Sequence, residues 1–305
     1  MNHILDAEGM EREWLEELFN RTDNFAANKK SLLNKQQGKI VATIFYEPST
    51  RTRFSFEAAI GHLGATNVSS EAAGAFSSAK KGESIEDTIQ TMDGYVDAIV
   101  MRHGDDDSAH RAAKVSAVPI INAGSGSTHH PTQALLDMYT IQQLLGQIDG
   151  AKIAFGGDLV MGRTANTLAK AIASMYKGIT MYGINPEGKG FDEDVINYIK
   201  KQGAWFREVE DFRQLPKDLD IIYQTRPQEE RYTDGQAVPR VLAINNDVMT
   251  HFGDSTYIMH PLPRVEGERS EIHKEVDCDP RAKYFQQSNN GFLVRTTLID
   301  QILER

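Results

Sequence analysis

The sequence predicts an α/β protein of two domains, each a mostly parallel sheet flanked by helices. Three observations carry this. The 305 residues amount to about two average domains. A 40% hydrophobic share supplies apolar material for two cores and excludes a disordered or collagen-like chain. Short apolar runs of strand length alternate with helical patterns, as parallel sheets with crossover helices require.

Taken in order, residues 7–20 place Met10, Trp14, Leu15, Leu18 and Phe19 at helical spacing between acidic side chains. Lys39 to Tyr46 is a near-continuous β-branched and aromatic strand, Glu47-Pro48 breaks it, and Ser49 or Thr50 caps a helix through Phe54, Ala58 and Leu63. Further strands are expected at Ala98–Met101, Val118–Asn122, Ile153–Gly156, Gly178–Gly183, Leu219–Gln224 and Thr256–Met259. The helix from Pro131 to about Leu145 runs into Gly146-Gln147-Ile148-Asp149-Gly150, which marks a boundary and a candidate hinge. The expected division is 1–147, 148–290, and a C-terminal helix 291–305 packing back on the first domain. Ala72 to Ser84, rich in Gly, Ala, Ser and Lys, reads as a mobile surface loop, and Arg226 to Gln236 as a second loop.

The chain carries 33 basic against 43 acidic side chains, a formal net charge of −10. That balance disfavours nucleic acid and anionic membrane as partners, since both need a basic face. Any bound anion must therefore be held by a local cluster of cations. One cysteine, Cys278, excludes an internal disulfide, and its neighbours Asp277 and Asp279 carry the wrong charge to stabilise a thiolate. The first residues lack the basic-then-apolar plan of a signal peptide, and no apolar run reaches the about 18 residues of a membrane helix. A cytoplasmic location is the expectation.

Ser49-Thr50-Arg51-Thr52-Arg53 stands where a strand ends and a helix begins, so free N–H groups, the helix dipole, three hydroxyls and two guanidinium groups can converge on a phosphate. Capping alone needs one hydroxyl. Gly156-Gly157-Asp158-Leu159-Val160-Met161-Gly162 follows a strand, yet its spacing fits neither a dinucleotide fingerprint nor a Walker loop. Arg163 opens the next helix, an end where the dipole disfavours a cation unless an anion is also there. His129-His130-Pro131-Thr132-Gln133 offers an imidazole and an amide to orient a carbonyl. A zinc reading of these histidines needs further ligands at short spacing, and none follows or precedes closely. His260-Pro261-Leu262-Pro263-Arg264 is either a plain proline turn or, with a cis Leu262–Pro263 bond, a means of aiming carbonyls at an amine.

Together, Phe45 to Glu57, His130 to Gln133, Gly157 to Thr164 and His260 to Arg264 resemble the aspartate/ornithine carbamoyltransferase family, in order and over nearly the whole chain. Thr50, Thr132 and Pro261 take the form usual on the aspartate side of that family, where ornithine enzymes carry Met, Cys and Cys. The resemblance implies an active site in the cleft between two domains, no cofactor and no metal. It implies transfer of a carbamoyl group from carbamoyl phosphate to L-aspartate, the committed step of de novo pyrimidine biosynthesis. Ser49, Thr50, Arg51, Thr52 and Arg102 then match carbamoyl phosphate ligands, His130 the residue polarising the carbonyl, and Gln133 a ligand of the carbamoyl amino group. Arg163, Arg226 and Gln228 match the residues that hold aspartate, and Leu262 and Pro263 the turn whose carbonyls meet the carbamoyl group.

Ser77 and Lys81 align with residues that the family inserts into a neighbour's site, which implies a homotrimer with shared active sites and allows regulatory chains. The sequence departs from the family at Ala79, where glycine is frequent, and at Asp105-Asp106-Asp107, acids placed soon after Arg102. Thr52, Arg102 and His130 are the expected catalytic residues, stabilising the tetrahedral oxyanion. Competing readings are another amine acceptor, a catalytically silent phosphate-binding homologue, and an NAD-type oxidoreductase.

Overall fold

The computed structural model describes residues 3–71, 82–126, 128–233 and 238–304. The chain divides into two compact units, residues 1–136 with 289–305 and residues 137–288. The expected loop 72–84 falls largely outside the described residues, as does the end of the loop 226–236.

The first unit holds a four-stranded sheet in the order β2-β1-β3-β4, every pairing parallel: β1 (Ile40–Phe45), β2 (Thr66–Glu71), β3 (Ala98–His103) and β4 (Ile120–Ser125). Helices on both faces make the inner strands continuous apolar runs, and Val41 to Phe45 are all buried. Ala42 and Ile44 with Ile99 and Met101 pack on Ile85 and Ile89 of α3 (Ile85–Met92) and Ala112 of α4 (Ser108–Val115). The first helix, α1 (Arg12–Ala27), starts later than the periodicity predicts. Its approach segment is held beside β4 instead: Ile4 N–H donates to Ile120 O at 2.8 Å and Asn122 N–H to Ile4 O at 2.8 Å. Those bonds cover the open edge of the sheet, satisfying groups a helix there would leave bare.

Strand β2 escaped the sequence reading because it is a polar edge strand, Thr-Asn-Val-Ser-Ser-Glu, with most residues exposed. Side chains secure it to α2 (Thr50–His62) and to β1: Glu57 of α2 accepts from Arg53 Nε at 2.8 Å and from Ser69 Oγ at 2.6 Å, and Thr43 Oγ1 of β1 donates to Asn67 at 3.2 Å. The last helix, α8 (Tyr284–Leu303), contributes Asp300, whose side chain is fully buried. Its carboxylate accepts from Arg21 at 3.0 Å, Lys35 at 3.0 Å and Gln36 at 2.8 Å.

The second unit has a five-stranded, wholly parallel sheet in the order β7-β6-β5-β8-β9: β5 (Lys152–Gly156), β6 (Thr180–Ile184), β7 (Trp205–Val209), β8 (Ile221–Gln224) and β9 (Tyr257–Met259). Edge strand β7 is the other one the sequence reading missed, again for want of buried residues. The helices α6 (Arg163–Met175) and α7 (Glu193–Lys201) follow β5 and β6, and α5 (Pro131–Leu145) spans the point where the units divide.

A buried polar network sets the turn after β9. His260 Nδ1 accepts from Leu262 N–H at 2.8 Å and its Nε2 meets Glu271 at 2.8 Å, so the imidazole is the neutral Nε2–H tautomer donating to a carboxylate. His260 N–H donates to Gln287, Gln287 donates to Asp137, and Tyr223 OH donates to the other Asp137 oxygen at 2.7 Å. The Leu262–Pro263 bond is cis, and Leu262 has φ +48°, a left-handed conformation that a branched residue adopts only when its surroundings impose it.

Replacing Asp300 by Ala removes the buried anion of its cluster and leaves Gln36 without its acceptor. Because Arg21 and Lys35 keep partial access to water, the loss should be about 3 kcal/mol, the low end for breaking a buried pair. Urea unfolding measures it, and a loss below about 1 kcal/mol contradicts the role. Burial depresses the His260 pKa below its ordinary value, with the Glu271 contact opposing. The unfolded chain therefore takes up that proton first as pH falls, so the contribution is intact above about pH 6.5 and is lost through the native pKa. Stability from pH 7.5 down to 5 should fall more steeply in the parent than in His260→Gln, and equal slopes count against it.

Candidate active site

In the first unit the candidate residues lie at the carboxyl ends of three neighbouring strands. Ser49 to Thr52 follow β1, Arg102 is the penultimate residue of β3, and His130 follows β4 at the start of α5. Phe45 and Arg102 are register partners, which brings the first two groups side by side. Ser49 is the N-cap of α2 but makes no side-chain cap bond; its Oγ accepts from Arg102 Nη1 at 3.4 Å. The hydroxyl thus faces the guanidinium rather than its own helix, against the plain capping alternative. Thr52, His130 and Gln133 are buried, whereas Thr50 and Arg51 are exposed at the helix start.

The two arginines of the motif part company. Arg53 is bound to Glu57 and Glu71, so its charge is spent on the edge strand, while Arg51 stays on the open side. Arg102 Nε lies 3.4 Å from Glu47 Oε2, an acid that the sequence reading had treated only as a strand breaker. Of the acidic run after Arg102, Asp106 accepts from Thr128 N–H and Oγ1, and the Asp105 carbonyl accepts from Ser108 Oγ at 2.7 Å. A side chain on Gly126, at φ +46°, would meet Asp106 at 1.8 Å, so this close turn requires glycine.

In the second unit the same logic recurs. Arg163, 6% exposed, opens α6 beyond β5, and Arg226 and Gln228 follow β8, the strand beside β5. Asp158, fully buried, joins the two loops: it accepts from Met161 N–H at 3.0 Å and Tyr232 OH at 2.9 Å through one oxygen, and from Gln228 N–H at 2.9 Å through the other. Sequence reasoning assigned Asp158 no role; its signal is an acid between glycines after a strand. Burial first, then Asp158, raise the Tyr232 pKa, keeping the phenol a proton donor. Gly157, at φ +95°, approaches Thr225 so closely that a Cβ would stand 1.9 Å from its carbonyl oxygen.

Arg226 presents its guanidinium edge to Glu230, one nitrogen at 3.0 Å and the other closer still. Those hydrogen bonds hold the Glu230 carboxyl below its usual range. The pair is a bidentate carboxylate clamp with an exposed partner, worth about 1 kcal/mol or less and so readily exchanged for another carboxylate. Leu262 and Pro263 form the turn held by His260 and Glu271, while Arg264 is turned to Asp277 and stacked on Tyr284. Ser77 and Lys81 lie outside the described residues.

Each of the two units has its counterpart in known proteins. The pattern for "Aspartate/ornithine carbamoyltransferase, carbamoyl-P binding domain" matches residues 2–143, and that for the "Asp/Orn binding domain" matches residues 149–302. The aspartate carbamoyltransferase catalytic subunit of Methanocaldococcus jannaschii is 41% identical over 309 residues, covering 100% of this chain and 98% of its own. The chloroplastic aspartate carbamoyltransferase of Arabidopsis thaliana is 40% identical, covering 99% of this chain and 78% of its own. The crystal structure of aspartate transcarbamoylase from Trypanosoma cruzi, in complex with carbamoyl aspartate and phosphate, superposes with a TM-score of 0.87 at 35% identity, covering 98% of this chain and 94% of that one. With both domain patterns matched in order, the chain belongs to the aspartate/ornithine carbamoyltransferase family.

Proposed function

We propose that this protein transfers the carbamoyl group of carbamoyl phosphate to the amine of L-aspartate, giving N-carbamoyl-L-aspartate and phosphate. The observation that carries the reading is the Ser49–Arg102 contact at the start of α2, which gathers hydroxyl, guanidinium and helix N–H donors where a phosphate fits. The T. cruzi relative bound to carbamoyl aspartate and phosphate supports it. Ser49, Thr50 and Arg51 hold the phosphate; Thr52, Arg102 and His130 hold the carbonyl oxygen; Gln133 and the carbonyls of Leu262 and Pro263 take the carbamoyl N–H groups. Arg163, Arg226 and Gln228 hold the two aspartate carboxylates.

The uncharged amine attacks the carbonyl carbon, the tetrahedral oxyanion rests on Thr52, Arg102 and His130, and the bond from that carbon to the phosphate oxygen then breaks. The amine proton leaves with the phosphate. No covalent enzyme intermediate is needed. The Glu230 carboxylate in the fork of Arg226 favours a dicarboxylic acceptor over ornithine, whose second amine a guanidinium would repel. We further propose a homotrimer in which a neighbour's Ser77 and Lys81 complete each site, regulatory chains as possible partners, and a cytoplasmic location. The family resemblance of the 77–83 segment supports the shared site, and closed symmetry makes a trimer the simplest ring.

Phosphate release from carbamoyl phosphate should depend on aspartate and not on ornithine, and Arg102→Ala or His130→Ala should cut turnover about 10² to 10³-fold with the fold intact. Release with ornithine alone, or unaltered turnover in both variants, overturns the reading. Mixing inactive Lys81→Ala and Arg51→Ala proteins should restore part of the activity through hybrid sites. No recovery after demonstrated subunit exchange contradicts the shared loop.

A further inference from the structure

We propose that Asp6, Glu8 and His129 form a binding site for a divalent transition-metal ion, with Zn²⁺ the best fit. The sequence offers no hint of it, because the last two ligands, Glu8 and His129, stand 129 − 8 = 121 positions apart. Short spacing along the chain is the usual mark of a zinc site, and here the first unit supplies the ligands by folding the N-terminal segment along β4. Donor atoms of the three side chains lie within 4.8 Å of one another. His129 Nδ1 stands 3.1 Å from Asp6 Oδ1 and 3.8 Å from Glu8 Oε2. Ligand atoms at zinc bond lengths around a tetrahedral ion are separated by about 3.3 Å, so these spacings suit donors that share one ion.

Hydrogen bonding alone accounts poorly for the arrangement. Asp6 Oδ1 and His129 Nδ1 are both shielded from solvent, and despite their proximity neither makes a hydrogen bond of acceptable geometry. A single N–H on Nδ1 cannot serve two carboxylates, whereas a dication can be shared by all three groups and offsets their charge. One imidazole with two carboxylates is a nitrogen-and-oxygen set: too rich in nitrogen for Mg²⁺ or Ca²⁺, without the sulfur that Cu(I) selects.

The donors are also preorganised. Leu5 O accepts from Asn122 Nδ2 at 2.9 Å, and His129 exchanges backbone hydrogen bonds with Ser125. The second Asp6 oxygen is held 2.8 Å from His110 Nε2 on α4, the outer contact that orients a ligating carboxylate and leaves its other oxygen for the ion.

Because His129 adjoins His130, the test reads binding and stability rather than turnover. The full-length protein is stripped with a chelator, dialysed and titrated with zinc chloride by calorimetry, with circular dichroism melts of each sample. The parent should bind one equivalent per chain and melt at a higher temperature with zinc. Glu8→Gln and His129→Gln should each lose at least about tenfold in affinity, and His110→Ala, which keeps all three ligands, about ten- to a hundredfold. Should His129→Gln fail to fold, Glu8→Gln decides the matter. The proposal is overturned if the folded parent takes up no stoichiometric zinc, or if folded Glu8→Gln binds zinc as the parent does.

Discussion

Parallel pairing throughout both sheets is the constraint on which the functional layout depends. A parallel strand cannot return by a tight turn, so each strand hands the chain to a crossover, and all the carboxyl ends of a sheet open along one edge. In the first unit that edge receives Ser49 to Thr52, Arg102 and His130; in the second it receives Arg163, Arg226, Gln228 and the Leu262–Pro263 turn. Helices starting there turn their first-turn N–H groups and the positive dipole end toward that edge of their own sheet. Both proposed substrates are anions, and a chain of net charge −10 can hold them only where such local positive groups are concentrated.

Buried carboxylates do the organising. Asp158 ties the loop after β5 to the loop after β8, Asp137 joins Tyr223 to Gln287, Glu271 holds His260, and Asp300 collects Arg21, Lys35 and Gln36. In each case both oxygens or several donors are satisfied, which is the condition for burying a charge without a large desolvation penalty. Part of the acidic excess is therefore internal framework rather than surface charge. The same kind of pairing occupies Arg53, held by Glu57 and Glu71, and Arg264, held by Asp277.

Legibility followed burial. Strands β1, β3, β4, β5, β6, β8 and β9 could be read because both faces are covered, so their sequences are apolar runs that polar loops interrupt. Edge strands β2 and β7 face water and carry no such signal, and the start of α1 was misplaced because hydrogen bonds to β4, a partner far along the chain, outweigh local periodicity. Among the site residues, those in dense motifs were named at once. Asp158, Glu47 and Glu230 were passed over, since an isolated acid has no local pattern and acquires a role only when folding sets a donor beside it.

The sequence by itself determined the fold class, the strand-to-helix junctions and the identity of the candidate donors, because periodicity, helix caps and hydroxyl-arginine clusters are properties of neighbours along the chain. Only the tertiary structure decided which arginines keep an open side, which tautomer His260 adopts, and that Asp6 and Glu8 meet His129. Those outcomes rest on contacts that range from two positions apart, at His260 and Leu262, to more than a hundred, at Glu8 and His129, and no local sequence pattern encodes them. Electrostatic pairing acts over a few ångströms of space, not over sequence separation.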